Sequence, residues 1–197
     1  MAKKESEVSN YIEEFKTILL NSKREGIEDL IDYLEQSGFF TSPCSGSYHL
    51  AKSGGLVQHS VNVLHIAEKI SVALYGAKNI TKELRTSIEI CALLHDVGKM
   101  GQFGKPNYVA NILKSGEQSA AKPYETNKDL LYVDHEIRSI AIISMFVDLT
   151  EDEQFAILYH NGLYGNLKYA INGKETPLYM IIHWADMWAS RIVEMEE

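Results

Sequence analysis

The 197-residue chain is 45% hydrophobic and 23% charged, enough apolar material for one globular core and too much for a disordered chain. Its 27 acidic residues outnumber 19 basic ones, and the net charge of −8 works against a surface that coats duplex DNA or RNA. Cys44 and Cys91 stand far apart, outside any C-x-x-C pair, and read as reduced thiols; with no signal-type or membrane-length apolar run in view, a cytoplasmic protein is expected.

In chain order the signals are helical. Tyr11, Ile12, Phe15, Ile18 and Leu19 recur at helical spacing, and a second segment over 27–36 stops at Ser37-Gly38, where glycine takes a left-handed cap. Over 55–75 the residues Leu56, Val63, Leu64, Ala67, Ile70 and Leu74 trace one stripe ending at Gly76, with His59 beside it. The next helix starts at Thr81, carries Leu84, Ile88, Cys91 and Leu94, and ends in His95-Asp96 before a turn at Val97-Gly98. Periodicity then fades over 99–132, a connection long enough to be a functional lid or disordered.

Asp134 is placed to cap a helix through 147 that contains His135. Thr150 with Glu153 reads as a capping box for a helix to about His160, and Thr176-Pro177 opens a last helix to about Glu194. The expected strand content is at most a small hairpin around Asn172-Gly173, in the C-terminal third. The predicted fold is therefore an all-α helical bundle, one domain over 1–197, in which 1–40 is a helical extension packed on a core at 48–191.

Chemistry concentrates where these helices end. An imidazole and a carboxylate about 100° apart, as at His95-Asp96, can clasp a divalent cation between helices, although such a pair can equally be a surface ion pair or a helix-end cap. Asp186, among Ile181, Ile182, Ala185 and Ile192, is costly to bury unless it meets a cation or a hydrogen-bonding partner; the alternative is a boundary carboxylate facing solvent or Arg191. Of the 7 histidines, His65 lies six positions after His59 on another helix face and is left outside the site, while His183 stands one turn before Asp186, behind it.

The segments "GGLVQHS", "ALLHDVGK" and "IIHWADMW" occur in the order of the signature segments of the HD-domain metal-dependent phosphohydrolases, an all-helical superfamily that the chain resembles over 48–191. That resemblance implies that His59, His95, Asp96 and Asp186 ligate one metal and that Asp96 can bridge to a second. His135 in "YVDHEIRS" and His160 in "ILYHNG" stand where some members hold the second ion, or they bind phosphate or move protons. Asn161 stands where relatives often carry a second consecutive histidine; an amide is a poorer ligand for a transition metal, so one ion or two stays open. The implied catalytic group is Asp96, Lys99 and His135, with Lys99, His49 and Asn161 as substrate contacts.

Nitrogen and carboxylate donors admit Mn, Fe, Co, Ni, Zn or Mg. The expected function is hydrolysis of a phosphate ester or anhydride of a nucleotide or small phosphorylated metabolite. The alternatives are a non-catalytic nucleotide-binding regulatory HD module and an RNA 3′-to-5′ exonuclease. The last follows from a likeness to the HD domain of bacterial 3′-to-5′ exoribonucleases, whose opening text places His49 upstream of His59. Neither a membrane nor a nucleic acid is expected as a partner.

Overall fold

The computed structural model describes residues 2–195. Phe15 and Leu19, one turn apart on α1 (Ala2–Asn21), are fully buried, as the apolar spacing requires, and α1 packs along α3 (Gly55–Tyr75). On α2 (Ile27–Gln36), Ile27, Leu30, Ile31 and Leu34 form the buried stripe, and the chain leaves through Gly38 at φ 82 into a 3₁₀ turn over Phe39–Thr41. There Phe39 and Phe40 meet Phe15 with ring centroids 5.1 and 5.5 Å apart, which fastens the N-terminal helices to the rest of the core.

The centre is built by α3, α4 (Lys82–Leu94), α6 (Glu151–Tyr159) and α8 (Pro177–Trp188), with α5 (His135–Ile143) closing one side. Their starts are the ones read from the sequence. Thr81 accepts from the Leu84 N–H, Thr176 accepts from the Tyr179 N–H ahead of Pro177, and Thr150 and Glu153 form a complete capping box. Glu153 also takes a bidentate ion pair from Arg24, at 2.7 and 3.0 Å, and a hydrogen bond from Ser87 Oγ, so one buried carboxylate joins three parts of the chain. No helix among the described residues is long and apolar enough to cross a membrane.

The all-α expectation holds, with local corrections. The expected hairpin at Asn172-Gly173 does not form: that stretch holds a 3₁₀ turn over Gly162–Tyr164 and a short helix α7 (Lys168–Ile171). Strand pairing appears instead within 99–132, as β1 (Gly101–Gln102) with β2 (Lys105–Pro106) and β3 (Tyr108–Ala110) with β4 (Tyr124–Thr126), both antiparallel. Strands of two or three residues carry too little alternation to be read locally, and β3 meets β4 only across the thirteen residues between them.

The helix from His135 ends at Ile143 and not at 147, and Asp134 does not cap it; that carboxylate is taken by the Tyr132 hydroxyl and the Asn166 amide. The last helix is regular only to Trp188 and continues as a π-helical turn over Ala189–Val193. The consequence of that wider turn for the site is described below.

Candidate metal centre

Five helix-borne segments deliver side chains to one buried point. His59 comes from the first turns of α3, His95 and Asp96 from the end of α4, His160 from the end of α6, and Asp186 from α8; His135 opens α5. His59, His95 and Asp96 have no exposed surface, and His160 almost none. Gly98 makes the close approach of α5 possible: a Cβ there would lie 2.2 Å from the His135 carbonyl oxygen, and its N–H donates to Ser139 Oγ at 2.9 Å.

The distances divide the group into two sets that share Asp96. Around Oδ2 stand His59 Nε2 and His95 Nε2, each at 3.4 Å, and Asp186 Oδ1 lies 3.2 Å from His59 Nε2. Around Oδ1 stand His135 Nε2 at 3.2 Å and His160 Nε2 at 3.4 Å. Neither Asp96 oxygen accepts a hydrogen bond of acceptable geometry, although both are buried. Lys99 Nζ lies 2.6 Å from Oδ2 as an ion pair outside hydrogen-bond angles.

The histidine tautomers follow from their other nitrogens. His95 Nδ1 is 2.9 Å from the Ala92 carbonyl and His160 Nδ1 is 2.8 Å from the Ile157 carbonyl. A carbonyl oxygen only accepts, so each Nδ1 carries the proton and each Nε2 offers a lone pair. His59 Nδ1 meets the Glu194 carboxylate at 3.0 Å with the same result. The Nε2 atoms of His59 and His95 then face each other at 3.3 Å, and those of His135 and His160 at 3.4 Å. Lone pairs and carboxylate oxygens at these distances repel unless positive charge lies among them.

The electrostatics carry the same sign. Burial pushes Asp96 upward, yet the Lys99 ammonium and the surrounding imidazoles hold it well below the usual carboxylate range. Burial pulls His59 downward, yet Cys44, Glu194, Asp186 and Asp96 raise it well above an ordinary imidazole. Asp96 thus stays anionic while positive charge is favoured on the groups around it. Nitrogen and carboxylate donors and buried oxygens without hydrogen bonds fit a divalent metal: the groups close enough to share one ion are His59 with His95 and Asp96, Asp96 with His135 and His160, and His95 with His160 and Asp186.

The remaining expected residues fall around this point. Lys99, His49, Asn161, Tyr48, Tyr108 and Arg191 line a cavity of about 540 Å³ that opens beside Asp186. Asn161 Nδ2 donates to Glu136 Oε1 at 2.6 Å and lies 3.1 and 3.3 Å from His135 Nε2 and His160 Nε2, so its amide is engaged by the same histidines that face Asp96 Oδ1. His49 Nδ1 reaches Glu194 at 2.5 Å; burial works to lower this imidazole, but Cys44 and Glu194 lift it to about 9.

Other groups stay out. His65 pairs with Glu14 on the surface, as its helical position required. His183 donates to the His160 carbonyl oxygen at 2.7 Å, behind the site, beside a separate cavity of about 440 Å³. Arg191 does not pair with Asp186; its guanidinium lies 4.5 Å over the Tyr164 ring. Arg138 is buried on Gln102 and the Leu131 carbonyl and faces no substrate cavity.

Glu194 is the residue that sequence reasoning missed. It ends the π-helical turn, where its N–H donates to the Ala189 carbonyl five residues back. In a regular α-helix, position 194 would be rotated roughly 80° from position 186. The wider turn brings it back under Asp186, which no residue pattern near the C-terminus announces.

A family model described as the HD domain matches residues 56–186, from the start of α3 to Asp186. No curated protein and no solved structure matches the chain.

Proposed function

The chain belongs to the HD-domain family, and from that premise we propose that it is a metal-dependent phosphohydrolase that cleaves a phosphate ester or anhydride of a nucleotide or other small phosphorylated metabolite. The observation that carries this reading is Asp96: a fully buried carboxylate whose oxygens accept no hydrogen bond, each turned to a pair of imidazole Nε2 atoms, with the Lys99 ammonium beside Oδ2. His59, His95, Asp96 and Asp186 would hold one divalent ion, and Asp96, His135 and His160 a second. When bound, such ions acidify water and neutralise charge on a phosphoryl oxygen.

The chain's own residues supply the rest. Lys99, at the rim between Asp96 and the cavity, offers a compact ammonium to a non-bridging phosphate oxygen. His49, held by Glu194 and flanked by Cys44, lines the cavity as a cationic contact for a phosphate oxygen. His135, the most exposed imidazole of the centre, is the one that can move a proton between Asp96 and solvent. Tyr48 and Tyr108 give the cavity aromatic faces that suit a base, and its size suits one nucleotide better than an extended strand.

The test is direct. Metal content of the purified protein, with anomalous scattering from crystals grown with Mn²⁺, is expected to give ions on Asp96, and a panel of nucleotides is expected to release phosphate. Protein that takes up no divalent metal overturns the reading. A second reading, a nucleotide-binding regulatory module without hydrolysis, is favoured by the Lys99 ammonium at 2.6 Å from Asp96 Oδ2, a resident cation where a metal would compete. Nucleotide that binds but survives long incubation with Mn²⁺ selects it. The likeness to exoribonuclease HD domains makes a single-stranded RNA 3′ end a further substrate for the same panel. The reading places the protein in the cytoplasm, where the buried, unpaired Cys44 and Cys91 stay reduced.

A further inference from the structure

We infer that Glu194 is a positioning residue which, through one carboxylate, fixes the ring orientation of both a metal-facing histidine, His59, and a cavity-facing histidine, His49. The inference rests on the reading above only in taking His59 as a metal ligand.

Four contacts carry it. Glu194 Oε1 accepts from His59 Nδ1 at 3.0 Å and from Asn62 Nδ2 at 3.0 Å, while Oε2 accepts from His49 Nδ1 at 2.5 Å and lies 3.1 Å from His59 Nδ1. The carboxylate is buried, and the two imidazole centroids are 5.1 Å apart on either side of it. Each ring therefore spends its Nδ1 proton on the same group and has only Nε2 left. For His59 that Nε2 points to Asp96 and Asp186; the His49 ring lines the 540 Å³ cavity beside Cys44.

The helix geometry makes this a built arrangement. Asp186 and Glu194 come from one continuous terminal segment and meet opposite nitrogens of the His59 ring, Nε2 and Nδ1. A ring fixed at Nδ1 by the same segment that carries Asp186 has little rotational freedom left to lose when a cation arrives at Nε2. The wider turn over Ala189–Val193 is what lets one segment do both, and π-turns of this kind concentrate at functional positions.

The experiment measures metal affinity, not turnover. Zn²⁺ and Mn²⁺ dissociation constants are obtained by chelator competition for the parent, Glu194→Ala, Glu194→Gln, His49→Ala and Asn62→Ala, with circular dichroism to establish folding. Loss of such a partner weakens metal binding roughly 10- to 100-fold, the drop expected for Glu194→Ala. Glutamine keeps one acceptor oxygen, so Glu194→Gln is expected to recover part of that loss, and His49→Ala and Asn62→Ala, each of which removes one contact to the Glu194 carboxylate, are expected to weaken binding less than Glu194→Ala does. In the zinc-loaded parent, ¹⁵N NMR is expected to show His59 with a protonated, hydrogen-bonded Nδ1, a signature lost in Glu194→Ala.

A folded Glu194→Ala that binds as tightly as the parent and keeps the His59 signature overturns the inference and leaves the functional reading standing. If Glu194→Ala does not fold, Glu194→Gln decides: affinity equal to the parent's overturns the inference, and weakened affinity at unchanged helicity supports it. A parent that binds neither ion overturns the functional reading and this inference together.

Discussion

Lys99 Nζ stands 2.6 Å from Asp96 Oδ2, the same oxygen that faces His59 and His95. The ammonium therefore holds a place beside the carboxylate that a divalent ion would share. Removing one partner of a buried pair leaves the other uncompensated, at a cost of roughly 3–5 kcal/mol. Lys99→Met is expected to melt at a lower temperature than the parent without metal and to regain most of the difference in saturating Mn²⁺. Thermal melts with and without the ion check this; an equal metal-induced rise in both proteins would show that Lys99 does not compensate Asp96.

Asp96 is shared by both ligand sets, whereas His160 belongs to the Oδ1 side. Asp96→Ala is expected to lose all divalent metal and His160→Ala to keep about one ion per chain, as read by elemental analysis of dialysed protein. Equal loss in the two variants would remove the division into two positions.

Asn161 engages His135 and His160 through its amide while bonded to Glu136. Asn161→His replaces a weak ligand with an imidazole next to His160 and is expected to raise occupancy of the Oδ1 position, tightening the weaker of two binding phases at least about tenfold. Isothermal titration with Mn²⁺ reads the change, and a single unchanged phase would speak against a second ion there.

Glu153 gives a pH dependence that does not involve the centre. Burial alone would raise this carboxyl, but Arg24, the Thr150 N–H and Ser87 hold it below its ordinary 4.5. A depressed native pKa stabilises above the unfolded value and the benefit is lost as pH falls through the native one. Glu153→Gln is therefore expected to be less stable than the parent by roughly 2–4 kcal/mol at pH 7, the range for a buried carboxylate that accepts several charged or backbone donors. The gap should narrow as pH falls below about 4.5. Urea midpoints at pH 7 and pH 3.5 measure it, and a gap that widens in acid would reverse the sign argued here.

Much of the architecture is local and was legible as such. Helix starts at Thr81, Thr150 and Thr176 depend on a hydroxyl reaching an N–H three residues on, and the stops at Gly38 and Gly76 depend on backbone freedom at one residue. The strand pairs in 99–132 and the shortened helix at Ile143 were not legible, because pairing partners and tertiary neighbours decide them.

The sequence by itself determined most of the helices and the capped starts at Thr81, Thr150 and Thr176, and the likeness of three segments to the HD-domain signature named His59, His95-Asp96 and Asp186 as the groups a metal centre needs. Only the tertiary structure decided how those groups are used. It turned the two oxygens of Asp96 to different histidine pairs, drew Asn161 onto His135 and His160, and carried Glu194 through a π-helical turn to the far nitrogen of His59. The physical reason is reach: a cap is settled within one turn of chain, whereas a tautomer is settled by whichever acceptor the fold brings to the other side of the ring.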